Sequence, residues 1–180
     1  MGKLILFDFD GTLADTLEIF HPVFAQACAE RGFTRFADRE AYLRLFDGNL
    51  FSGLSACGVP PDQQQAILAS FGAHFAGALD TVALFPGVPE MLQRLAPAAT
   101  LMIITSSPSA PVWNVLARNE IRVIKAVWGG DVERSKVVKI RRALDAMNAD
   151  EGFYVGDTTG DIQEGHAAGV TTVGVSWGWH

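Results

Sequence analysis

The sequence is short of cysteine, of basic residues and of long apolar runs, and each shortage removes a class of protein. Two cysteines in 180 residues, Cys28 and Cys57, follow no ligand spacing. They exclude a disulfide framework and a zinc site, and read as core or helix-packing thiols. Fourteen Lys and Arg stand against twenty Asp and Glu, a formal charge of −6. Neutralising a phosphate backbone takes clustered cations, so nucleic acid is not an expected partner. Arg134, Lys136, Lys139, Arg141 and Arg142 do lie close together, but they read as the polar face of one helix. The N-terminal apolar run breaks at Asp8, too early for a membrane span or a signal peptide, so a cytoplasmic protein is expected. Hydrophobic residues, by contrast, make up 49% of the chain, enough for one ordinary core with a modest insertion.

The rest of the chain is organised around Phe7-Asp8-Phe9-Asp10-Gly11-Thr12. Lys3 to Phe7 is the short apolar run of a buried strand. Side chains alternate along a strand, so Asp8 and Asp10 share one face and Phe7 and Phe9 the other. Two carboxylates on one face repel unless a cation lies between them or one is protonated. Asp-Gly is also a common turn dipeptide, but a turn has no need of Asp8.

After this strand, Asp15 and Glu18 read as a helix start, with apolar positions Phe20, Val23, Phe24, Ala27 and Cys28 running to Gly32. Pro22 should kink or restart that helix. His21 reads as a surface or packing residue more readily than as a ligand. From about Asp38 to Thr81 the pattern stays helical, punctuated by Gly48, Gly53, Gly58 and Pro60-Pro61, with no strand signal. A helical subdomain inserted after the first strand is expected. Asp47-Gly48-Asn49 fits a lid contact or a plain interhelical turn.

From Leu84 onward, helices alternate with short, uniformly apolar strands: Thr100–Thr105, Val123–Trp128, Phe153–Gly156 and Val170–Val175. That alternation predicts a parallel sheet covered on both faces. In such sheets ligands bind beyond the carboxyl ends of the strands, at a topological switch point. Those ends carry Asp8 and Asp10, then Thr105 and Ser106, then Asp157 with Asp161 one helical turn on. Lys136 opens a helix beside Ser135, where the helix N-terminus adds positive partial charge. The acids suit a hard divalent cation such as Mg²⁺. The lysine and hydroxyls suit an anion beside it, most simply phosphate. Taken singly, Ser135 and Thr105 as caps, Lys136 as a surface residue and Asp161 as a first-turn acid are equally good readings.

These residues resemble the four motifs of the haloacid dehalogenase superfamily, in its phosphoglycolate phosphatase-like branch. Asp8-Phe9-Asp10-Gly11-Thr12 is similar to the first motif, Thr105 or Ser106 to the second, Lys136 to the third, and Gly156-Asp157-Thr158-Thr159-Gly160-Asp161 to the fourth. The resemblance runs from Lys3 to about Gly178, with the motifs in family order. It implies an α/β fold: a Rossmann-like parallel sheet with helices on both faces, formed by 1–14 and 84–180, and an inserted α-helical cap over 15–83. It implies a phosphatase acting on a small phosphorylated metabolite, as a monomer or homodimer. Asp8 would be the nucleophile and Asp10 the acid–base group. Gly11, Thr105, Ser106 and Lys136 would hold the phosphoryl group. Mg²⁺ would sit on Asp8, Asp10 through its backbone carbonyl, and Asp157, with Asp161 supporting.

Asp10 speaks against the true dehalogenases, which usually have Tyr there, and against the phosphonate-cleaving branch, which has Ala. A phosphomutase shares both aspartates, though Thr12 leans away from it. A non-catalytic phospho-acceptor protein combines similar residues in a different chain order. Members of this type usually continue beyond the last strand with a further strand and helix. The sequence stops at Trp177-Gly178-Trp179-His180; two partly exposed tryptophans are expected there, either for a dimer or cap contact or because the chain is truncated.

Overall fold

A computed structural model describes residues 2–75 and 81–180; of the helical stretch expected up to Thr81, residues 76–80 lie outside it. Strands β1 (Gly2–Phe7), β4 (Thr100–Ile104), β5 (Ile124–Trp128), β6 (Ala149–Gly156) and β7 (Thr171–Gly174) form one sheet in the order β5-β4-β1-β6-β7. Every pairing in it is parallel. The chain moves outward from β1 to β4 and β5, then returns to β6 on the other side of β1. That reversal places the switch point at the carboxyl end of β1, flanked by β4 and β6.

Alternation along β1 divides the interior. Leu4 and Leu6 join Met102, Ile104 and Tyr154 in a cluster with Ile140 and Ala143 of helix α7 (Lys136–Met147). Phe7 and Phe9 pack on the other side with Val88 and Leu92 of α5 (Val88–Leu95), and with Val112 and Val115 of α6 (Ser109–Arg118). Helix α8 (Thr159–Ala168) links β6 to β7. Both faces of the sheet are thus covered, which uniformly apolar strands require.

A two-stranded ribbon, β2 (Ala14–Asp15) antiparallel to β3 (Ala83–Leu84), stands at the base of the intervening helices. Between its strands run α1 (Leu17–Ala29), α2 (Arg39–Leu43), α3 (Leu50–Ala56) and α4 (Pro61–Phe75). They bury their own cluster, including Phe20, Phe24, Phe36, Tyr42, Leu54 and Ile67.

Two expectations need correction, and one is narrowed. Asp15 does not cap a helix: it pairs with Ala83 in the ribbon, and α1 begins after Thr16 with no side-chain cap. The backbone pairing across the neck, extended by Phe85 N donating to Leu13 O, outcompetes the local capping signal. Pro22 lies inside α1 without restarting it. The buried anchors Phe20 and Phe24 on either side offset one missing intrahelical hydrogen bond. Lys136 and Lys139 are not on a solvated face; they are 7% and 0% exposed. His21 is a packing residue, its Nε2 3.0 Å from Phe36 O and its ring stacked on Tyr42.

Candidate active site

The first acid, Asp8, directly follows β1, and its amide continues the ladder by donating to Val155 O. Its buried Oδ1 forms an ion pair with Lys136 Nζ at 3.2 Å but takes part in no hydrogen bond. Burial, partly offset by Lys136, pushes the Asp8 carboxyl well above the usual range, and Asp161, Asp157 and Asp10 push it further. Asp10 is held by hydroxyls: its Oδ2 accepts from Ser107 Oγ at 2.6 Å and Thr105 Oγ1 at 3.2 Å. Its Oδ1 is buried without a partner. Burial raises this carboxyl too, against the hydroxyl hydrogen bonds that lower it.

Asp157 follows β6 and accepts from Thr12 Oγ1 at 2.9 Å and from the Trp179 amide at 2.8 Å. Burial still lifts its carboxyl to about 6. Asp161 sits at the third position of α8 in a capping box with Thr158. Its Oδ1 accepts from Lys136 Nζ at 2.7 Å and Tyr154 Oη at 3.0 Å, and its Oδ2 accepts from Thr158 Oγ1 at 2.6 Å. Burial opposes ionisation of Asp161, but the Lys136 ion pair and these hydrogen bonds outweigh it and lower the carboxyl. One oxygen each from Asp8, Asp157 and Asp161 lie within 4.8 Å of one another. Stacking three buried carboxylates at that spacing is strongly unfavourable without a cation.

Lys136 is the first residue of α7, behind the Ser135 N-cap, whose Oγ accepts from Val138 N. Burial works against its charge, but Asp161 and Asp8 more than restore it and hold its ammonium well above the ordinary range. It is a fixed cation between two acids.

Of the residues expected to hold an anion, Thr105 and Ser106 lie beyond β4, and Ser106 lines the cavity in front of the acids. Gly11 has φ +78° and gives its amide to Ala14 O at 2.8 Å. A Cβ there would stand 2.2 Å from Asp157 Oδ2, and one on Gly178 would stand 2.2 Å from Asp157 Cβ. Both glycines let the backbone press against this acid. Sequence reasoning missed Ser107, whose hydroxyl touches Asp10 more closely than Thr105 does. It also missed Thr12 and the carboxyl-end residue Trp179 as partners of Asp157. Lys139 was missed as well: its Nζ donates to Thr105 O at 2.5 Å and Gly129 O at 3.2 Å, tying the ends of β4 and β5 together. Burial, then repulsion from Lys136, lowers its ammonium to about 8.

The two tryptophans divide. Trp177 is 49% exposed, with Nε1 donating to Thr12 O at 3.2 Å. Trp179 is 8% exposed and packs on Phe20, Tyr42 and Phe46 of the helical region. The cap contact therefore belongs to Trp179. The Asp47–Asn49 turn is an interhelical turn that also touches α8. Asn49 caps α3, while Asp47 O accepts from Thr159 Oγ1 and Gln163 Nε2 of α8. A cavity of about 410 Å³ lies between the helices and the acids, lined by Asp8, Asp10 and Lys136 at one end and by Phe20, Phe71 and Trp179 among others.

No helix among the described residues is long and apolar enough to cross a membrane. The chain is similar to a phosphoglycolate phosphatase of Synechococcus elongatus, 28% identical over 99% of this chain and 85% of the relative. It is similarly related to one of Rhodospirillum rubrum, 29% identical over 99% and 81%. A solved haloacid dehalogenase-like family hydrolase from Streptococcus pneumoniae shares the fold with a TM-score of 0.82, at 23% identity over 99% of this chain and 86% of that one. Residues 5–175 match the family of haloacid dehalogenase-like hydrolases, and with the sheet and acid cluster described above the chain belongs to that family.

Proposed function

We propose that this haloacid dehalogenase-like phosphatase hydrolyses a small phosphate monoester through an aspartyl-phosphate on Asp8, with Mg²⁺ as cofactor and residues 15–83 as its cap. The observation that carries this reading is the convergence of Asp8, Asp157 and Asp161 with Lys136 at the sheet's switch point.

The residues fit a hard divalent cation. Asp8, Asp157 and Asp161 each bring an oxygen within 4.8 Å of the others, and burial, with the charge of Asp161, lifts Asp157 to about 6, both of which a bound cation relieves. Asp8 and Asp157 would hold the ion with the Asp10 carbonyl, while Asp161, already engaged by Lys136 and Thr158, supports them. When bound, Mg²⁺ neutralises charge on the phosphoryl oxygens.

Within that frame the chain's own groups divide the work. A carboxylate oxygen of Asp8 attacks phosphorus as the bond to the leaving oxygen breaks, giving the acyl phosphate. Asp10 gives its proton to that leaving oxygen; burial raises its carboxyl and so favours the protonated form. Asp10 then takes a proton from water, which attacks phosphorus, releases phosphate and regenerates Asp8. Thr105 and Ser107 orient Asp10 for both transfers. Lys136 supplies fixed positive charge beside Asp8, and positioning plus charge neutralisation is most of what phosphoryl transfer needs.

The test is phosphate release across a panel of phosphorylated metabolites, with and without a chelator. Activity should vanish with the chelator and return with Mg²⁺. Asp8→Asn should lose phosphate release while keeping its circular dichroism; full activity in that variant refutes the assignment of the nucleophile.

A further inference from the structure

The cavity in front of Asp8 has two unlike ends. Its acidic end holds Asp8, Asp10, Lys136 and Asp161, with Ser106, Ser107, Thr158, Asn49 and Arg134 also in the lining, and the remainder is mostly ring and aliphatic surface. Phe20 meets Phe75 edge-on at 4.3 Å between ring centroids, Phe71 stacks on Phe75 at 5.2 Å, and Phe46 meets Trp179 edge-on at 4.8 Å. These rings come from α1, α4, the turn before α3 and the carboxyl-end segment, so the aromatic wall is assembled by the fold rather than by one element.

The rings themselves offer little to a small charged or hydroxylated leaving group. Two cations line the cavity among the described residues. Lys136 is bound to Asp8 and Asp161, and the Arg134 guanidinium lies over the Phe51 ring at 5.5 Å. Asn49 Oδ1 accepts from Phe51 N. Ser107 is spent on Asp10. A polyhydroxylated sugar would therefore strand its hydroxyls against phenyl rings, which costs free energy for every hydrogen bond lost to water.

Among the aromatic side chains of the wall, one buried nitrogen has no partner. Trp179 Nε1 is buried with no partner, on a residue 8% exposed. An oxygen acceptor meets an indole N–H best, the π face of a ring meets it weakly, and an alkyl chain does not meet it at all. The cavity, at about 410 Å³, lies in the range of roughly 300–1,000 Å³ that encloses drug-sized ligands, more than a two-carbon acid requires.

We infer that the substrate is a phosphate monoester whose leaving group carries a planar aromatic ring, which lies against Phe20, Phe71 and Trp179 while the phosphoryl group meets Asp8. This rests on the phosphatase reading above and specifies its substrate class. It separates this chain from the phosphoglycolate phosphatases to which it is similar.

Four substrates test it: benzyl phosphate, cyclohexylmethyl phosphate, phosphoglycolate and glucose 6-phosphate. The first two have similar leaving alkoxides and bulk, so their difference reads the ring rather than intrinsic reactivity. Benzyl phosphate should exceed phosphoglycolate and glucose 6-phosphate in kcat/KM by about tenfold or more. It should exceed its saturated counterpart by about threefold. Phosphate release that favours phosphoglycolate or glucose 6-phosphate overturns the aromatic class and leaves the phosphatase standing. Calorimetric titration of the Asp8→Asn protein is independent of turnover. Tighter binding of benzyl phosphate than of phosphoglycolate supports the inference, and equal or weaker binding overturns it. Release from none of the four overturns the phosphatase reading for this panel, and the titration then decides the pocket by itself.

Discussion

Replacing Gly160 with alanine measures how tightly the helical region is docked on the α/β core. Gly160 is the second residue of α8, where alanine by itself is favoured over glycine by up to about 1 kcal/mol. Here the new Cβ would lie 2.3 Å from Gly48 O and 3.0 Å from Phe46 O. Both are backbone atoms, so no side chain can swing away. Relief requires the Phe46–Asn49 turn to move by about 1 Å, and overpacking of that kind costs about 1–3 kcal/mol. Movement also stretches the hydrogen bonds from Thr159 Oγ1 and Gln163 Nε2 to Asp47 O, now 3.2 and 3.1 Å, each worth about 0.5–1.5 kcal/mol. The clash should win, giving a net loss of about 1–3 kcal/mol by urea denaturation, or a Tm fall of about 2–4 °C for each kcal/mol. Gly72→Ala is the matched control: Gly72 is mid-helix in α4 with nothing within 4 Å of its Cβ position. It should gain up to about 1 kcal/mol. Gly160→Ala at or above wild-type stability would show that the turn does not press on α8, and the reasoning fails.

Three further perturbations reach other parts of the molecule. Gly178→Ala drives a methyl group into Asp157, whose Oδ2 also accepts from the neighbouring Trp179 amide. Mg²⁺ affinity by calorimetry should weaken about 10–100-fold, and unchanged affinity removes Asp157 from the metal site. Lys139→Met tests the buried ammonium held at about 8 against about 10.4 in the unfolded chain. Below pH 8 both states carry the proton and the penalty is constant. Between pH 8 and 10.4 the unfolded state binds more protons, so wild-type stability should rise relative to Lys139→Met by at most about 3 kcal/mol; a flat or falling difference contradicts the buried charge. Burial pushes the Cys28 thiol up to about 12, so a thiol reagent at pH 8 should modify half-buried Cys57 in the native protein and reach Cys28 only on unfolding. Equal rates for both thiols refute this.

Reading the sequence for strand and helix periods recovered the α/β alternation because each strand is short, apolar and bounded by polar residues. The acids were legible for the same reason: Asp8 and Asp157 sit where a strand ends, and Asp161 repeats one turn later in a helix. The errors share one cause. Asp15 carried a local capping signal, yet pairing with Ala83 took it into a ribbon. Lys139 belonged by composition to a polar face, yet the carbonyls of Thr105 and Gly129 drew it inside. Trp179 read as exposed, yet it closes the aromatic cluster. In each case a partner far along the chain outweighed the local preference, and no window of neighbouring residues contains that partner.

The sequence by itself determined the parallel sheet and the carboxylates at its strand ends, since periodicity and strand termination are local properties of the chain. Only the tertiary structure decided which hydroxyls meet Asp10, how Lys136 stands between Asp8 and Asp161, and that rings from four separate segments line the space in front of them. Those are contacts between segments up to about 160 residues apart, fixed by how the helices dock on the sheet.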